Sequence, residues 1–201
     1  MRYITLWLAG IAAIVFIAQT VVGTSFFVLD SSLVWHQPWR LVTAIFAHGS
    51  IGHLLSNLVA LVIFGLVLEQ RIGPKRFFWL FMISGIAINM VSPFFYERSL
   101  GASGAIYAIL GTLAVLRPMI MVWAAGVPMP MAIAGLFWLA QDVAGVFIPD
   151  NVANIAHISG LGMGLAAGIA WRKKFGDKKP GQEKNPLAEK ELDEWEKEYM
   201  H

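Results

Sequence analysis

Gly101-Ala102-Ser103-Gly104-Ala105-Ile106-Tyr107-Ala108 opens an apolar stretch that runs without a charge to Arg117. A serine between glycines at the head of such a stretch is ordinarily a helix cap or a packing position. Two other polar residues change that reading. Asn57 precedes Arg71, and His157 precedes Arg172, by nearly the same interval that separates Ser103 from Arg117. At about 1.5 Å of rise per residue, each lies about 21–23 Å above the inner edge of a hydrocarbon layer about 30 Å thick. Three polar side chains at one depth in lipid suggest a built site.

Composition requires the lipid. Of 201 residues, 57% are hydrophobic and only 14% charged, with a mean hydropathy of +0.64. A soluble domain carries nearer a quarter charged residues. The charges are also segregated: residues 1–171 hold seven Lys/Arg and five Asp/Glu, whereas 172–201 hold eight of each. The net charge of +2 gives no case for nucleic acid. With no cysteine, disulfides and thiol chemistry are excluded. The class is an all-α membrane protein.

Six spans are expected: Ile4 to Val22, His53 to Leu68, Phe77 to Phe95, Ser103 to Leu116, a fifth within Met121 to Ile148, and Asn154 to Trp171. Pro128 and Pro130 mark the true start of the fifth. The first apolar run is longer than a usual signal core and reads as an anchor. Arg2, Arg71, Lys75, Arg76, Arg117 and the cluster from Arg172 fall on one side, against Arg40 and Arg98 on the other. Both termini are therefore expected to be cytoplasmic. Spans two, four and six then run inward, carrying Asn57, Ser103 and His157. Residues 1–171 form the membrane domain and 172–201 a charged cytoplasmic tail. In that tail Ala188, Leu192, Trp195 and Tyr199 are spaced as one helical face, read first as a solvated cytoplasmic helix, with docking to a cytoplasmic partner as the alternative.

A serine hydroxyl needs an adjacent base to become a nucleophile at neutral pH. His157, the one histidine of the last span, suits that work. Gly160, Gly164 and Gly168 form a GxxxGxxxG ridge, and Gly104, Ala108 and Gly111 a small-residue stripe, so the two helices are expected to touch closely. His53 and Asn57, at i and i+4, both offer donors to a developing oxyanion. His48, Ser50 and Ser56 are candidates to line a water route, and His36 and His48 also read as loop residues that hydrogen-bond locally. Asp142 and Asp150 lie in or near the outer half of the fifth span, but nothing pairs either with His157, so a Ser-His dyad is expected. Glu69 and Arg71 read as ties from the inner end of the second span to its loop. No metal-ligand spacing is present, and no cofactor is expected.

In this order, the motifs resemble the rhomboid intramembrane serine proteases. The resemblance runs from Trp39-Arg40 through His48, His53-Leu54-Leu55-Ser56-Asn57, Glu69-Gln70-Arg71-Ile72-Gly73 and the Ser103 motif to Ala156-His157-Ile158-Ser159-Gly160 and Gly168. It implies six helices around a water-filled cavity open to the outside. It implies Ser103 as nucleophile, His157 as base, and His53, Asn57 and the Ser103 amide as oxyanion donors. Tyr107 would pack on the His157 ring, with Gly101 and Gly104 supporting the turn. The fifth span would gate lateral access. Substrates would be single-span membrane proteins, cut near the outer part of their helix, in the plasma membrane of a prokaryote. Two rival classes are a catalytically silent rhomboid-like binder of membrane helices and a small-solute transporter. The intact Ser103–His157 pair argues against the first, and the lack of a clear internal repeat against the second.

Overall fold

The structure, a computed structural model, describes residues 3–148 and 152–176. Seven helices follow one another: α1 (Ile4–Val22), α2 (Arg40–Phe46), α3 (Ile51–Ile72), α4 (Pro74–Val91), α5 (Ser103–Leu116), α6 (Met131–Phe147) and α7 (Asn154–Phe175). All but α2 fall on the six expected segments. By length and composition, Ile4–Val22, Ile51–Ile72 and Pro74–Phe94 are long and apolar enough to cross a membrane, and Ser103–Leu116 and Met131–Phe147 are shorter apolar helices. Their outer faces carry large apolar side chains, with Trp7 62%, Ile14 68%, Ile63 55% and Leu136 63% exposed. Apolar surface on that scale is stable in lipid and a liability in water.

Local chemistry sets the helix limits. Ser50 Oγ caps α3 by accepting the His53 N–H at 3.1 Å. Pro74 begins α4, where its missing N–H costs nothing. Before α6, β3 (Met121–Ala124) and β4 (Val127–Pro130) form an antiparallel hairpin. Its two turn residues, Ala125 and Gly126, both have positive φ, 52° and 77°, as a type I′ turn requires. Pro130 is the last residue before α6, so the prolines do mark the true start of the fifth segment. The expected loop ahead of it is a hairpin. A second, two-residue pairing joins β1 (Leu29–Asp30) to β2 (Arg98–Ser99), bracing the α1–α2 loop against the one before α5.

The shortest of the apolar helices is the centre of the bundle. Ten of the fourteen residues of α5 are buried, among α3, α4, α6 and α7. Its tightest partner is α7. A Cβ added to Gly160 would fall on the Gly104 carbonyl oxygen, one on Gly164 on that of Ala108, and one on Gly111 on that of Leu161. Only glycine permits this approach, so the small-residue ridge and stripe meet as expected. The Thr112 hydroxyl spans the seam, 2.8 Å from the Ala108 oxygen and 3.1 Å from that of Gly164.

The outermost helix is held at both ends. Glu69 of α3 accepts from the Ile4 N–H (2.7 Å), the Thr5 N–H (2.9 Å) and the Thr5 hydroxyl (2.6 Å). At the other end the Gln19 amide exchanges two hydrogen bonds with the His48 backbone. Glu69 thus ties its helix to α1 and not to its own loop, a correction to the sequence expectation. Arg71 is corrected likewise: it donates to the Phe175 and Gly176 carbonyls at the end of α7. There it supplies donors to carbonyls a helix end leaves without partners. α7 continues to Phe175, four residues past the expected boundary at 171. The expected helical face at Ala188, Leu192, Trp195 and Tyr199 lies outside the described residues.

Candidate active site

Ser103 is the first residue of α5 and its hydroxyl caps nothing. It is free for chemistry because the turn before it is made by other means. Gly101 adopts φ +121°, and its N–H bonds the Ala44 carbonyl at 2.8 Å, anchoring the turn to α2. A Cβ at Gly101 would come within 2.9 Å of the His53 ring, so glycine is required twice, for conformation and for space. The Ser103 hydroxyl lies 2.8 Å from His157 Nε2. The α5–α7 seam below sets this distance, since a short serine reaches an imidazole only where the backbones nearly touch.

The other face of the imidazole is equally defined. Tyr107, one turn below Ser103, stacks on the ring with centroids 4.3 Å apart and planes 9° from parallel. Nδ1 lies 2.8 Å from Asp142 Oδ1. Because a carboxylate only accepts, Nδ1 carries the proton, and Nε2 is left to accept from Ser103. The expectation that no acid pairs with His157 is corrected: an acid from α6 completes a hydrogen-bonded chain Ser103–His157–Asp142. Both Asp142 and His157 are buried, 4% and 9% exposed.

The missed partner had a signal in the sequence. α6 and α7 are antiparallel neighbours, and positions equidistant from the middle of their connection face each other. Asp142 faces His157 and, three residues on, Gly145 faces Asn154, whose side chain occupies the space a Cβ on Gly145 would take. Both pairs share one register. Folding the fifth segment back on the sixth would have placed Asp142 beside the ring.

The remaining candidates divide. His53 lies against the Gly101 turn, within electrostatic reach of His157. Asn57 donates from Nδ2 to the His53 carbonyl at 2.8 Å, and its Oδ1 is buried without a hydrogen bond. One amide hydrogen is therefore spent on its own helix and one remains. Gly104 lies in the seam, against Gly160. His48 is 1% exposed, which argues against a place on an open water route and fits the reading of a loop residue that hydrogen-bonds locally. Its Nδ1 donates to the Phe46 carbonyl at 3.0 Å and its ring meets His53 edge-on at 5.0 Å. Burial, with His53 beside it, pushes the His48 imidazole down to about 4, so it is neutral at pH 7. Ser50 is committed to the cap described above, and Ser56 bonds the His53 carbonyl at 2.9 Å. Among the described residues no group of three or more His, Cys, Asp or Glu is placed to hold a metal ion.

The chain is similar to known proteins. Residues 35–174 match a family model described as "Rhomboid domain". The chain is 34% identical over 154 residues to "RHOMBOID-like protein 1" of Arabidopsis thaliana, covering 74% of this chain and 39% of that protein. It is 35% identical over 137 residues to "RHOMBOID-like protein 6, mitochondrial" of the same plant, 67% of this chain and 44% of the relative. Against "Rhomboid-like protease 2" of Toxoplasma gondii it is 31% identical over 145 residues, 71% and 50% of the respective lengths. The chain thus spans half or less of the length of these relatives.

Proposed function

Since this chain belongs to the rhomboid family and is an integral membrane protein, we propose that it is an intramembrane serine endopeptidase acting on single-span membrane proteins. The observation that carries this reading is the 2.8 Å hydrogen bond from Ser103 to His157 Nε2 at a buried, apolar site. As Ser103 Oγ bonds to the scissile carbonyl carbon, its proton passes to Nε2 and the carbonyl π pair moves onto oxygen. The tetrahedral intermediate collapses when Nε2–H protonates the departing amine, leaving an acyl-serine. Water, deprotonated by Nε2, then releases the acid product and restores the serine.

The oxyanion needs donors. The Ser103 N–H belongs to the first turn of α5, whose N–H groups have no intrahelical acceptor, and the helix dipole favours negative charge there. The free Asn57 amide hydrogen and the His53 ring are the proposed side-chain donors. A scissile bond inside a helix must first be unwound, which favours small and helix-weakening residues near the cut.

In this proposal the six apolar segments cross the bilayer with both termini cytoplasmic, which puts Ser103 in the outer half. The expected prokaryotic plasma membrane draws nothing from the relatives, which come from A. thaliana and T. gondii, one of them named as mitochondrial. The proposal is therefore confined to an integral membrane location. Fluorophosphonate labelling of the detergent-purified protein tests it. Label is expected on the wild type and not on Ser103→Ala or His157→Ala. Undiminished labelling of Ser103→Ala refutes the assignment of the nucleophile.

A further inference from the structure

Asp142 is a carboxylate on an apolar helix whose other buried residues are Met131, Ala134 and Gly135. Ionisable groups within membrane segments are costly and persist where a partner or a function holds them. His157 Nδ1 donates to its Oδ1 at 2.8 Å, the Tyr107 hydroxyl lies within electrostatic reach of the carboxylate, and, among the described residues, Oδ2 is buried without a hydrogen bond. A group serving only to join two helices would be expected to satisfy both oxygens with backbone or hydroxyl donors, as Glu69 does at the other end of the bundle. Asp142 instead directs its 2.8 Å bond to the imidazole that faces Ser103, and its other polar neighbour is the hydroxyl of Tyr107, the residue stacked on that same ring.

Resting on the serine-hydrolase reading above, we propose that Asp142 is the positioning residue of the base: it holds His157 in the Nδ1–H tautomer with Nε2 toward Ser103, and it stabilises the imidazolium formed when Ser103 gives up its proton. The Nδ1 proton stays on His157 throughout, and the only proton moved in the attack passes from Ser103 Oγ to Nε2. Three constraints then fix the ring: the acid at Nδ1, Tyr107 flat against one face, and Ser103 at Nε2. Asparagine at 142 can turn an N–H toward Nδ1, which selects the other tautomer and leaves Nε2 protonated, unable to take the serine proton. Loss of the charge also leaves the imidazolium without a counterion in a medium of low dielectric constant.

The test separates a positioning role from a structural one by resolving labelling into probe affinity and inactivation rate. For folded Asp142→Asn, checked by its unfolding midpoint in detergent, the maximal rate of fluorophosphonate inactivation is expected to fall about 100-fold, with probe affinity within about threefold of wild type. In the wild type, ¹⁵N-histidine NMR is expected to show His157 as the Nδ1–H tautomer, its signal assigned by its loss in His157→Ala. A folded Asp142→Asn protein that reacts within about threefold of the wild-type rate overturns the proposal while leaving Ser103 and His157 as the reactive pair. An Nε2–H tautomer in the wild type overturns it even if Asp142→Asn does not fold. Labelling that survives Ser103→Ala removes the hydrolase reading itself, and the inference with it.

Discussion

α7 meets two neighbours in contrasting ways, and its histidine stands where both contacts converge. Against α5 it packs backbone to backbone along Gly160, Gly164 and Gly168, with no room for a single added carbon at the first two positions. Against α6 the contact is thinner. Only four of the seventeen residues of α6 are buried, against ten of fourteen in α5, and the exposed side chains include Leu136 and Phe147. The seam with α5 is a fixed reference that sets the Ser103–His157 distance. The contact with α6 delivers one carboxylate to the back of the ring, through a hydrogen bond instead of close packing. A site built this way keeps its nucleophile and base together by shape, and adds the acid by polarity.

Breaking the seam has the largest expected effect. Gly164→Ile drives a branched side chain into the Ala108 carbonyl, with backbone on both sides and nothing able to yield. Destabilisation of at least about 3 kcal/mol is expected, read as the shift in the detergent-unfolding transition, with labelling lost in parallel. Wild-type stability in that variant would mean that α5 and α7 are not in this register.

The thinner contact is sharpened by Gly145→Ala. Its Cβ would come within 2.5 Å of the Asn154 side chain, the movable end of a polar group and not backbone. Repositioning of Asn154 is expected at a cost of about 1 kcal/mol, with labelling reduced about threefold because Asp142 on the same face is pushed from His157. A loss as large as that in Gly164→Ile would show the two contacts to be equally rigid. The smallest effect belongs to Gly135→Ala, also on α6. There the new carbon meets the Ala114 methyl at an ordinary 3.6 Å. Helix propensity then dominates and stability is expected to rise by up to about 1 kcal/mol, with labelling unchanged.

The same contrast explains what could be read from the sequence. The seam was legible because glycine every fourth residue has one physical meaning in an apolar helix, and Ser103 and His157 inherit their proximity from it. The start of α6 was legible from Pro128 and Pro130, since proline ends what precedes it. α2 was not: Arg40-Leu-Val-Thr-Ala-Ile-Phe46 is only seven residues, too short to show a helical period. It is held by tertiary bonds, including those from the Arg40 guanidinium to the Ser25 and Val28 carbonyls at 2.6 Å. The β3–β4 hairpin lacked the Asn-Gly or Asp-Gly signature of a two-residue turn, and Ala125 takes a positive φ that its side chain disfavours. The partner of Asp142 is not legible in the fifth segment alone, because it depends on how two helices fold back on each other. The partners of Glu69 and Arg71 are hidden for the same reason: their bonds close over 64 and 104 residues.

The most direct test of the account is cleavage of a single-span membrane protein by the wild-type chain reconstituted in liposomes, alongside Ser103→Ala and His157→Ala. Cleavage by the wild type alone, at a bond in the outer part of the substrate's membrane segment, is the predicted result. Equal cleavage by Ser103→Ala, freed of contaminating protease, would contradict it.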